Sequence, residues 1–297
     1  MPIAPLHTLP DASYLPGDQA PTHDAEELIE RGGVLHFPAL RFALSDAETR
    51  FLDTRWSDGK AKNISLRGLG DPNQEALRGA AGSPAELAEL RAMIARYRDQ
   101  ATALVDRLFP HYRGHLKRGN TSLRLFGVEG RQTSWRKDDT RLHVDAFPSN
   151  PTRGVRLLRV FNNLNPNGKP RVWRVGESFE EFAPKFLPQI GRPLPGSAWL
   201  MEKLHITKAR RSEYDHLMLG LHDRGKFDMD YQRNCPQQSV DFMPGTTWVV
   251  YSDQVLHAAM AGQFMMEQTF YLDAGAEKLP ATAPRAVLER ITGHALA

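Results

Sequence analysis

The feature that most constrains the fold is a series of short, strand-like segments that follows Asn120. These segments are rich in β-branched and aromatic residues, and turns such as PSNPTRG and NPNGKP separate them. They read TSLRLFGV, TRLHVDAF, RLLRVFNNL, RVWRV, TTWVVYS, QVLHAAM and EQTFYLDA. Many short strands joined by tight turns predict an antiparallel sandwich or barrel, a group that includes the jelly roll.

The clearest helical pattern precedes the strands, over residues 83–109. Ser83, Pro84 and Glu86 match an N-cap, a first-turn proline and a capping-box acid, and apolar residues recur at helical spacing up to Pro110. This pattern predicts a helix that packs one face against the core. Two shorter helical patterns, SFEEFAPKF and SEYDHLMLGLHDRG, occur later in the chain.

The 297 residues, 41% of them hydrophobic and 25% charged, are typical of one soluble globular domain. We expect an N-terminal arm and helical buttress over residues 1–119 and a strand-rich core over residues 120–275. A long mixed insertion is expected at 178–240 and a C-terminal tail at 276–297.

The single cysteine, Cys235, excludes an internal disulfide and a cysteine-based zinc site. The N-terminus lacks the basic start and apolar core of a secretory signal, and no segment approaches the roughly 20 apolar residues that span a bilayer. We therefore expect a cytoplasmic protein, for which peripheral attachment to a membrane remains open.

Charge is unevenly distributed along the chain. Residues 113–175 contain 14 Lys or Arg and four acids, a local charge of +10, whereas the whole chain carries +3. The remainder therefore carries about −7. A basic block of this kind is typical of a solvated face or of a surface that meets an anionic ligand.

A candidate metal-binding pair, His143 and Asp145, lies inside this basic block. In an extended segment these two side chains point to the same side, and Leu142 and Val144 point to the other. An imidazole and a carboxylate side by side form half of a metal site. The alternative interpretation is a structural histidine at the edge of the core, whose ring nitrogen forms a hydrogen bond with a neighbouring carboxylate.

Iron sites that activate oxygen require two histidines and one carboxylate on one face of the ion, because the other positions admit a cosubstrate and dioxygen. The candidates for the third ligand are His205, His216, His222, His257 and His294. His257 follows a turn and a strand in MPGTTWVVYSDQVLHAAMAGQ, and the small residues after it leave room beside a metal.

With these segments in view, the sequence resembles the jelly-roll iron(II) and 2-oxoglutarate dependent dioxygenases, and within them the 3-deoxy-D-manno-oct-2-ulosonic acid (Kdo) hydroxylases. The resemblance lies in TRLHVDAFPSNPTRGVRLLRVFNNLNP, RVWRVGESFEEF, SEYDHLMLGLHDRGKFDMDYQ and MPGTTWVVYSDQVLHAAMAGQF, most of residues 120–275. It implies a mainly β fold with flanking helices around a double-stranded β-helix (jelly-roll) core.

The resemblance also implies a chemistry. Iron(II) would be held by His143, Asp145 and His257, 2-oxoglutarate and O2 would be cosubstrates, and ascorbate would act as the reductant. Succinate and CO2 would be released as the substrate gains a hydroxyl group. His216 and His222 are then interpreted as structural or supporting groups.

The far carboxylate of 2-oxoglutarate requires a cation, preferably a guanidinium. Many members of the superfamily place this arginine shortly after the distal histidine, but the next basic residue after His257 is Lys278. Other members place the cation on the strand that follows His-x-Asp. The resemblance therefore implies Arg159 as the anchor, with Arg156 as the alternative. Alternation along a strand lets only one of them face the site. Thr140 is a further candidate for the same carboxylate.

Further basic and aromatic residues near the pair are candidates for substrate binding. They are Arg131, Arg136, Arg153, Arg174 and Trp173. The arginines would bind carboxylate or phosphate, unless they form a solvated basic face. Trp173 would stack on a sugar ring or pack in the core.

By this resemblance the substrate would be the Kdo sugar of Kdo-lipid A, hydroxylated at C3, with the enzyme peripheral on the inner face of the bacterial inner membrane. Alternatives are the same chemistry on another anionic substrate, a small acid or a nucleic acid, or a non-catalytic jelly-roll sugar-binding module. No nucleic-acid module is recognisable, so no nucleic-acid partner is expected.

Overall fold

The computed structural model describes residues 3–9, 24–67, 76–130 and 133–296. The strands of this part of the chain are β1 Leu6–Thr8, β2 Val34–Phe37, β3 Ile64–Arg67, β4 Ala76–Arg78, β5 Leu116–Arg124, β6 Arg156–Asn163, β7 Arg171–Gly176, β8 Gln237–Phe242, β9 Thr247–Tyr251, β10 His257–Ala261 and β11 Met265–Leu272. The helices are α1 Ala25–Glu30, α2 Asp46–Thr49, α3 Pro84–Leu108, α4 Phe179–Phe186, α5 Ser197–Lys203, α6 Glu213–Phe227, α7 Met229–Asn234 and α8 Pro284–Thr292.

The strands form two sheets. The major sheet has the order β1-β2-β9-β6-β11-β5-β3-β4, and the minor sheet has the order β10-β7-β8. Aromatic side chains fill the space between them: Trp173 of the minor sheet contacts Phe161 and Trp248 of the major sheet, with ring centroids 5.2 and 5.5 Å apart. The candidate site lies in this space between the two sheets.

Helix α3 covers the outer face of the major sheet, as the sequence predicted. Ser83 and Glu86 form the expected capping box. The apolar face of the helix is buried, and the Tyr97 hydroxyl donates a hydrogen bond to the carbonyl of Val160 on β6 (3.1 Å). The helix therefore supports one of the central strands of the sheet from behind.

The segment TRLHVDAF, predicted as a strand, forms only an isolated bridge between His143 and His257. A side chain replaces a strand partner beside it, because Gln232 accepts from the N–H of Leu142 (2.8 Å) and donates to its carbonyl (3.0 Å). The predicted alternation still holds: Leu142 and Val144 are fully buried in apolar surroundings, and His143 lines a cavity.

The terminal regions contain more structure than the sequence suggested. Within the expected arm, β1 and β2 extend one edge of the major sheet, and β3 and β4 extend the other. The expected tail contains α8, whose Val287 and Leu288 are buried in an apolar cluster with α4 and α6. The short strands lack a long alternating pattern, which explains why sequence periodicity did not reveal them.

The predicted insertion 178–240 contains α4, α5, α6 and α7, and both predicted helical pieces are confirmed by α4 and α6. Its last residues belong to β8, so the minor sheet begins before residue 240. No helix among the described residues has the length and apolar character needed to cross a bilayer.

Candidate metal centre

The structure brings His143, Asp145 and His257 together. The N–H of His143 donates to the carbonyl of His257 (3.1 Å), and the N–H of His257 donates to the carbonyl of His143 (2.9 Å). One ligand atom from each of the three side chains lies within 4.8 Å of the other two. The bridge between two distant parts of the chain therefore places both imidazoles beside one carboxylate.

Backbone carbonyls orient both imidazole rings. Nδ1 of His143 lies 2.7 Å from the carbonyl of Arg141, and Nδ1 of His257 lies 2.8 Å from the carbonyl of Val255. A carbonyl only accepts, so each Nδ1 carries the proton and donates it. Each Nε2 then keeps its lone pair, which is the arrangement that histidine ligands of metals commonly show.

Burial and neighbouring charges set the protonation states of the three side chains, and these states favour binding of a cation. Burial lowers the pKa of His143 and of His257, so both rings stay neutral near pH 7. For Asp145 burial acts to raise the pKa, but the neighbouring Arg159 guanidinium holds it well below its usual range. The site therefore presents two neutral nitrogen donors and one carboxylate anion.

The donor set fits iron(II). Two imidazoles and one carboxylate that leave further coordination positions open are typical of non-heme iron oxygenases. Oδ2 of Asp145 is buried and has no hydrogen-bond partner among the described residues, although Arg159 forms an ion pair with it at 3.3 Å. A buried carboxylate oxygen in this position is suited to a metal ion.

The triad lines a cavity of about 250 Å³ between the two sheets. Four cationic side chains contribute to its wall: Lys62, Arg124, Arg159 and Arg171. The acids there are Asp139 and Asp145, and much of the remaining wall is apolar or aromatic. A small dianion such as a dicarboxylate would find an excess of positive charge in this cavity.

The two candidate anchors on β6 face opposite sides of the major sheet. Arg159 lines the cavity, where it pairs with Asp145 (3.3 Å) and Glu267 (3.2 Å). Arg156 is directed away from the cavity and pairs with Asp253 at 2.7 Å. Of the two, only Arg159 is in a position to bind a ligand of the triad cavity.

Thr140 does not reach the cavity wall. Its hydroxyl donates to Oδ1 of Asp138 (2.6 Å), and its backbone N–H donates to the same oxygen (3.0 Å). A short polar side chain readily bonds a carboxylate two residues away, and this local contact turns the hydroxyl away from the site.

Trp173 lies in the cavity wall and stacks on His257, with ring centroids 5.0 Å apart and an angle of 22° between the rings. It is almost completely buried. The indole therefore supports the orientation of a candidate metal ligand.

Three of the predicted substrate-binding arginines, Arg136, Arg153 and Arg174, lie outside the cavity wall. Arg174 alternates with Trp173 on β7 and donates to the carbonyl of Thr140 (2.7 Å). Arg136 pairs with Asp223 (2.9 Å), and Arg153 donates to the carbonyl of Arg210. Arg131 lies outside the described residues.

Several residues of the site were not singled out from the sequence: Lys62, Arg124, Asp139, Arg171 and Glu267. Arg171 precedes Trp173 by two positions and shares its face of β7, so alternation could have identified it. Lys62 carries no such signal because its position depends on the ion pair with Asp139 (2.6 Å).

His222 lies beside the triad without belonging to it. Its ring is 5.4 Å from that of His143 in an edge-on arrangement, and its Nδ1 lies 2.9 Å from a carboxylate oxygen of Asp223. The supporting role of His222 stays a prediction. His216 contacts the carbonyl of Gly191 (2.7 Å) and is part of the insertion.

A larger cleft of about 840 Å³ lies along the same face of the major sheet. Strand β11 contributes Met265 to the triad cavity and Tyr271 to the cleft, and alternation places both on the inner face. Four cationic residues line the cleft, together with one acid, Asp273: Arg67, Lys117, Arg118 and Lys208. The cleft is therefore suited to a large anionic molecule.

A family model described as 3-deoxy-D-manno-oct-2-ulosonic acid (Kdo) hydroxylase matches residues 16–295. The chain belongs to the Kdo hydroxylase family. This membership confirms the predicted enzyme class, a 2-oxoglutarate dependent dioxygenase. No curated protein matches the chain.

Solved structures of the Kdo hydroxylase KdoO, a non-heme Fe(II) α-ketoglutarate dependent dioxygenase, are similar along the whole chain. The complex with α-ketoglutarate, which is 2-oxoglutarate, and Fe(III) is 44% identical, with a TM-score of 0.91 over 99% of this chain and 97% of that one. The apo form and the cobalt(II) complex are each 45% identical, with TM-scores of 0.92 over 98% and 97%. This likeness confirms the predicted jelly-roll fold.

Proposed function

We propose that the protein is an Fe(II) and 2-oxoglutarate dependent hydroxylase that acts at C3 of the Kdo sugar in Kdo-lipid A. The observation that carries the proposal is the convergence of His143, Asp145 and His257 in a cationic cavity of a Kdo hydroxylase family member. The KdoO structures, which hold iron with α-ketoglutarate or succinate, support the choice of metal and cosubstrate.

His143, Asp145 and His257 would hold the metal. Iron(II), with 2-oxoglutarate and O2, would supply an oxidative decarboxylation that yields succinate and CO2 and inserts one oxygen atom into a substrate C–H bond, with ascorbate as reductant. The protein's part is to keep both Nε2 lone pairs available and the Asp145 carboxylate ionised, as the carbonyl contacts and pKa directions indicate.

Arg159 would bind the far carboxylate of 2-oxoglutarate. Its Nε has no hydrogen-bond partner among the described residues, and its guanidinium lines the triad cavity. A guanidinium can bind a carboxylate through two parallel hydrogen bonds, which fixes orientation as well as position. The stack of Trp173 on His257 and the burial of the triad would limit the access of water to the reacting groups.

The basic cleft beside the cavity would receive the substrate. Kdo carries a carboxylate and lipid A carries phosphates, so the excess of cations over acids in the cleft is complementary in charge. A substrate of this kind is anchored in a membrane leaflet. We infer that the enzyme acts as a peripheral protein at the cytoplasmic face of the inner membrane.

The direct test is incubation of the full chain with iron(II), ascorbate, 2-oxoglutarate and Kdo-lipid A. We expect mass spectrometry to show one added oxygen on the Kdo sugar and succinate formation in equal amount. A parallel reaction with free Kdo separates a requirement for the lipid from recognition of the sugar alone. Absence of both products with either substrate would refute the proposed function.

Metal loading provides a second test. Anaerobic addition of iron(II) and then 2-oxoglutarate should produce a visible absorption band that neither addition produces alone. His143→Ala should abolish the band and reduce hydroxylation by about 10³-fold or more, because one of three protein ligands is lost. His216→Ala, a histidine outside the cavity, is the matched control and should keep the band.

A further inference from the structure

An exposed group of large apolar side chains lies in the segment around α5. Leu194, Trp199, Leu200, Leu204 and Ile206 are between 50 and 77% exposed. All five fall within 13 consecutive residues. Exposed apolar residues that occur singly need no explanation, but a cluster of this kind is typical of a surface that binds a partner or a membrane.

The local structure keeps these side chains in solvent. Leu200 and Leu204 are four residues apart, so they lie on one side of the helical turn, and Trp199 is adjacent. On the opposite side Ala198 and Met201 face a cavity of about 390 Å³ that lies between the insertion and His294 of the C-terminal region. The helix thus has an inner apolar side and an outer apolar side.

The end of α5 is closed by a backbone motif that holds its last apolar residues outward. The N–H of Ile206 donates to the carbonyl of Met201 (2.9 Å), and the N–H of His205 donates to the carbonyl of Glu202 (3.0 Å). His205 has a φ of +54°, a left-handed conformation that usually requires glycine at this position. Leu204 and Ile206 therefore occupy defined positions on either side of a tight turn.

The same segment is basic. Residues 192–211 contain Arg192, Lys203, Lys208, Arg210 and Arg211 and one acid, Glu202, for a net charge of +4 with His205 neutral. None of these five cations forms an ion pair with another described residue. An apolar cluster flanked by unneutralised cations is the composition of surfaces that bind anionic lipid bilayers.

Two hydrogen bonds connect this segment to the loop that follows Asp145 in the sequence. The N–H of Lys208 donates to the carbonyl of Ser149 (2.9 Å), and the guanidinium of Arg211 donates to the carbonyl of Pro148 (2.5 Å). The Lys208 side chain also lines the basic cleft. The apolar cluster, the cleft and the candidate metal ligands are therefore parts of one connected region.

We propose that residues 192–211 dock the enzyme on an anionic phospholipid bilayer, with the five apolar side chains in the interfacial layer and the cations against lipid headgroups. For the delivery of a lipid-linked substrate to the cleft, this inference rests on the proposed function. The docking itself rests on exposure and charge. A bilayer fits better than a folded protein partner because the apolar residues project from one short turn and the surrounding charge is predominantly cationic, which matches anionic headgroups.

The experiment is flotation of the full chain with vesicles of phosphatidylethanolamine and phosphatidylglycerol, compared with phosphatidylcholine vesicles. We expect binding to the anionic vesicles and a blue shift in tryptophan fluorescence. Trp199, at 51% exposure, is the reporter, because Trp56, Trp173 and Trp248 are buried and Trp135 is half-buried. Trp199→Phe should keep the binding and lose the shift.

Two variants test the two parts of the surface. Leu200→Ser with Leu204→Ser should weaken partitioning by about tenfold or more, because less apolar area enters the interface. Lys203→Gln with Arg210→Gln should weaken it by about fivefold for each charge removed, and only with anionic lipid. Met243→Ser, which changes a 50% exposed residue outside the segment, is the matched control and should bind normally.

The outcome separates this inference from the proposed function. Vesicle binding and the fluorescence shift do not require turnover. A positive result in both therefore supports docking even if no hydroxylated product forms. All variants should keep the absorption band with iron(II) and 2-oxoglutarate, which shows that the site is intact. Unchanged vesicle binding by the Leu200 and Leu204 variant, or light scattering that shows a dimer which this variant dissociates, would overturn the proposal.

Discussion

Strand β6 carries two buried arginines whose surroundings differ. On the outer side of the major sheet, Arg156 donates through Nε to Asp253 (2.7 Å), through Nη1 to Glu277 (3.3 Å) and through Nη2 to Gln254 (2.6 Å). Its guanidinium also lies 4.0 Å from the ring centroid of Tyr251. All three nitrogens have a protein partner, so the group contributes to the structure.

On the inner side, Arg159 pairs with Asp145 and Glu267 and faces a cavity. Its Nε has no hydrogen-bond partner among the described residues. Buried polar groups are normally satisfied, and the exceptions often occur at functional sites. The two arginines of one strand therefore differ in what remains for them to bind: Arg156 has a protein partner for each nitrogen, whereas Arg159 keeps a donor that a ligand of the cavity could use.

The largest effect that tests the comparison is expected from Arg156→Met. The change leaves Asp253 and Glu277 without their counter-ion in a buried site, so the free energy of unfolding should fall by about 3–5 kcal/mol. Urea denaturation followed by circular dichroism measures it. Arg159→Met is the matched control and should cost less, because Glu267 keeps its pair with Arg124 and only Asp145 loses its counter-ion. An equal fall in the free energy of unfolding in the two variants would contradict the distinction between the surroundings of Arg156 and those of Arg159.

Arg159→Lys should sharpen the comparison through ligand binding. The KM for 2-oxoglutarate should rise about 10- to 100-fold, because an ammonium cannot replace the two-bond contact of a guanidinium with a carboxylate. Steady-state succinate release measures this change. Arg171→Lys alters another cation of the same cavity. If Arg171→Lys raised the KM for 2-oxoglutarate strongly and Arg159→Lys left it unchanged, Arg171 rather than Arg159 would bind the far carboxylate.

A smaller effect on stability is expected in the wall of the triad cavity, where Lys62 pairs with Asp139. Burial acts to raise the pKa of Asp139, but Lys62 and nearby cations lower it to about 2. The folded pKa lies below the unfolded value, so the pair stabilises the protein fully above about pH 4, and this contribution is lost as the pH falls through about 2. Lys62→Met should therefore cost at most about 1 kcal/mol at pH 7, since Lys62 is half exposed.

The pH dependence of unfolding checks this prediction. The difference between wild type and Lys62→Met should shrink as the pH falls toward 2 and should be constant above about pH 5. A double-mutant cycle with Asp139→Asn isolates the pair from other effects of the lysine. A difference that grows in acid would show that Lys62 stabilises the protein through some other contact.

Features that depend on neighbouring residues could be predicted well. The capping box of α3 and the alternation that separates Leu142 and Val144 from His143 depend on short-range geometry, and the structure shows both. The strand predicted at TRLHVDAF was wrong because Gln232, a residue of the insertion, takes up backbone groups that a strand partner would otherwise bind. Contacts of this kind leave no periodic signal in the sequence.

The cationic wall of the cavity shows the same limit. The resemblance placed the anchor on β6, and alternation left Arg159 and Arg156 as alternatives on opposite faces; the structure puts Arg159 on the face of the triad. Lys62 and Arg124 come from segments far away in sequence, and nothing local distinguishes them from other basic residues. Thr140 lies only three residues before His143, but its hydroxyl donates a hydrogen bond to Asp138 and does not face the cavity.

By itself the sequence determined the types of donor atom, the side of the chain on which His143 and Asp145 lie, and the helical and strand character of most core segments, since these depend on spacings of a few residues. Only the tertiary structure showed that His257, named from the sequence, lies beside this pair, and that Arg159 rather than Arg156 faces it. Pairing between distant segments, driven by burial of the aromatic core between the sheets, places those groups together.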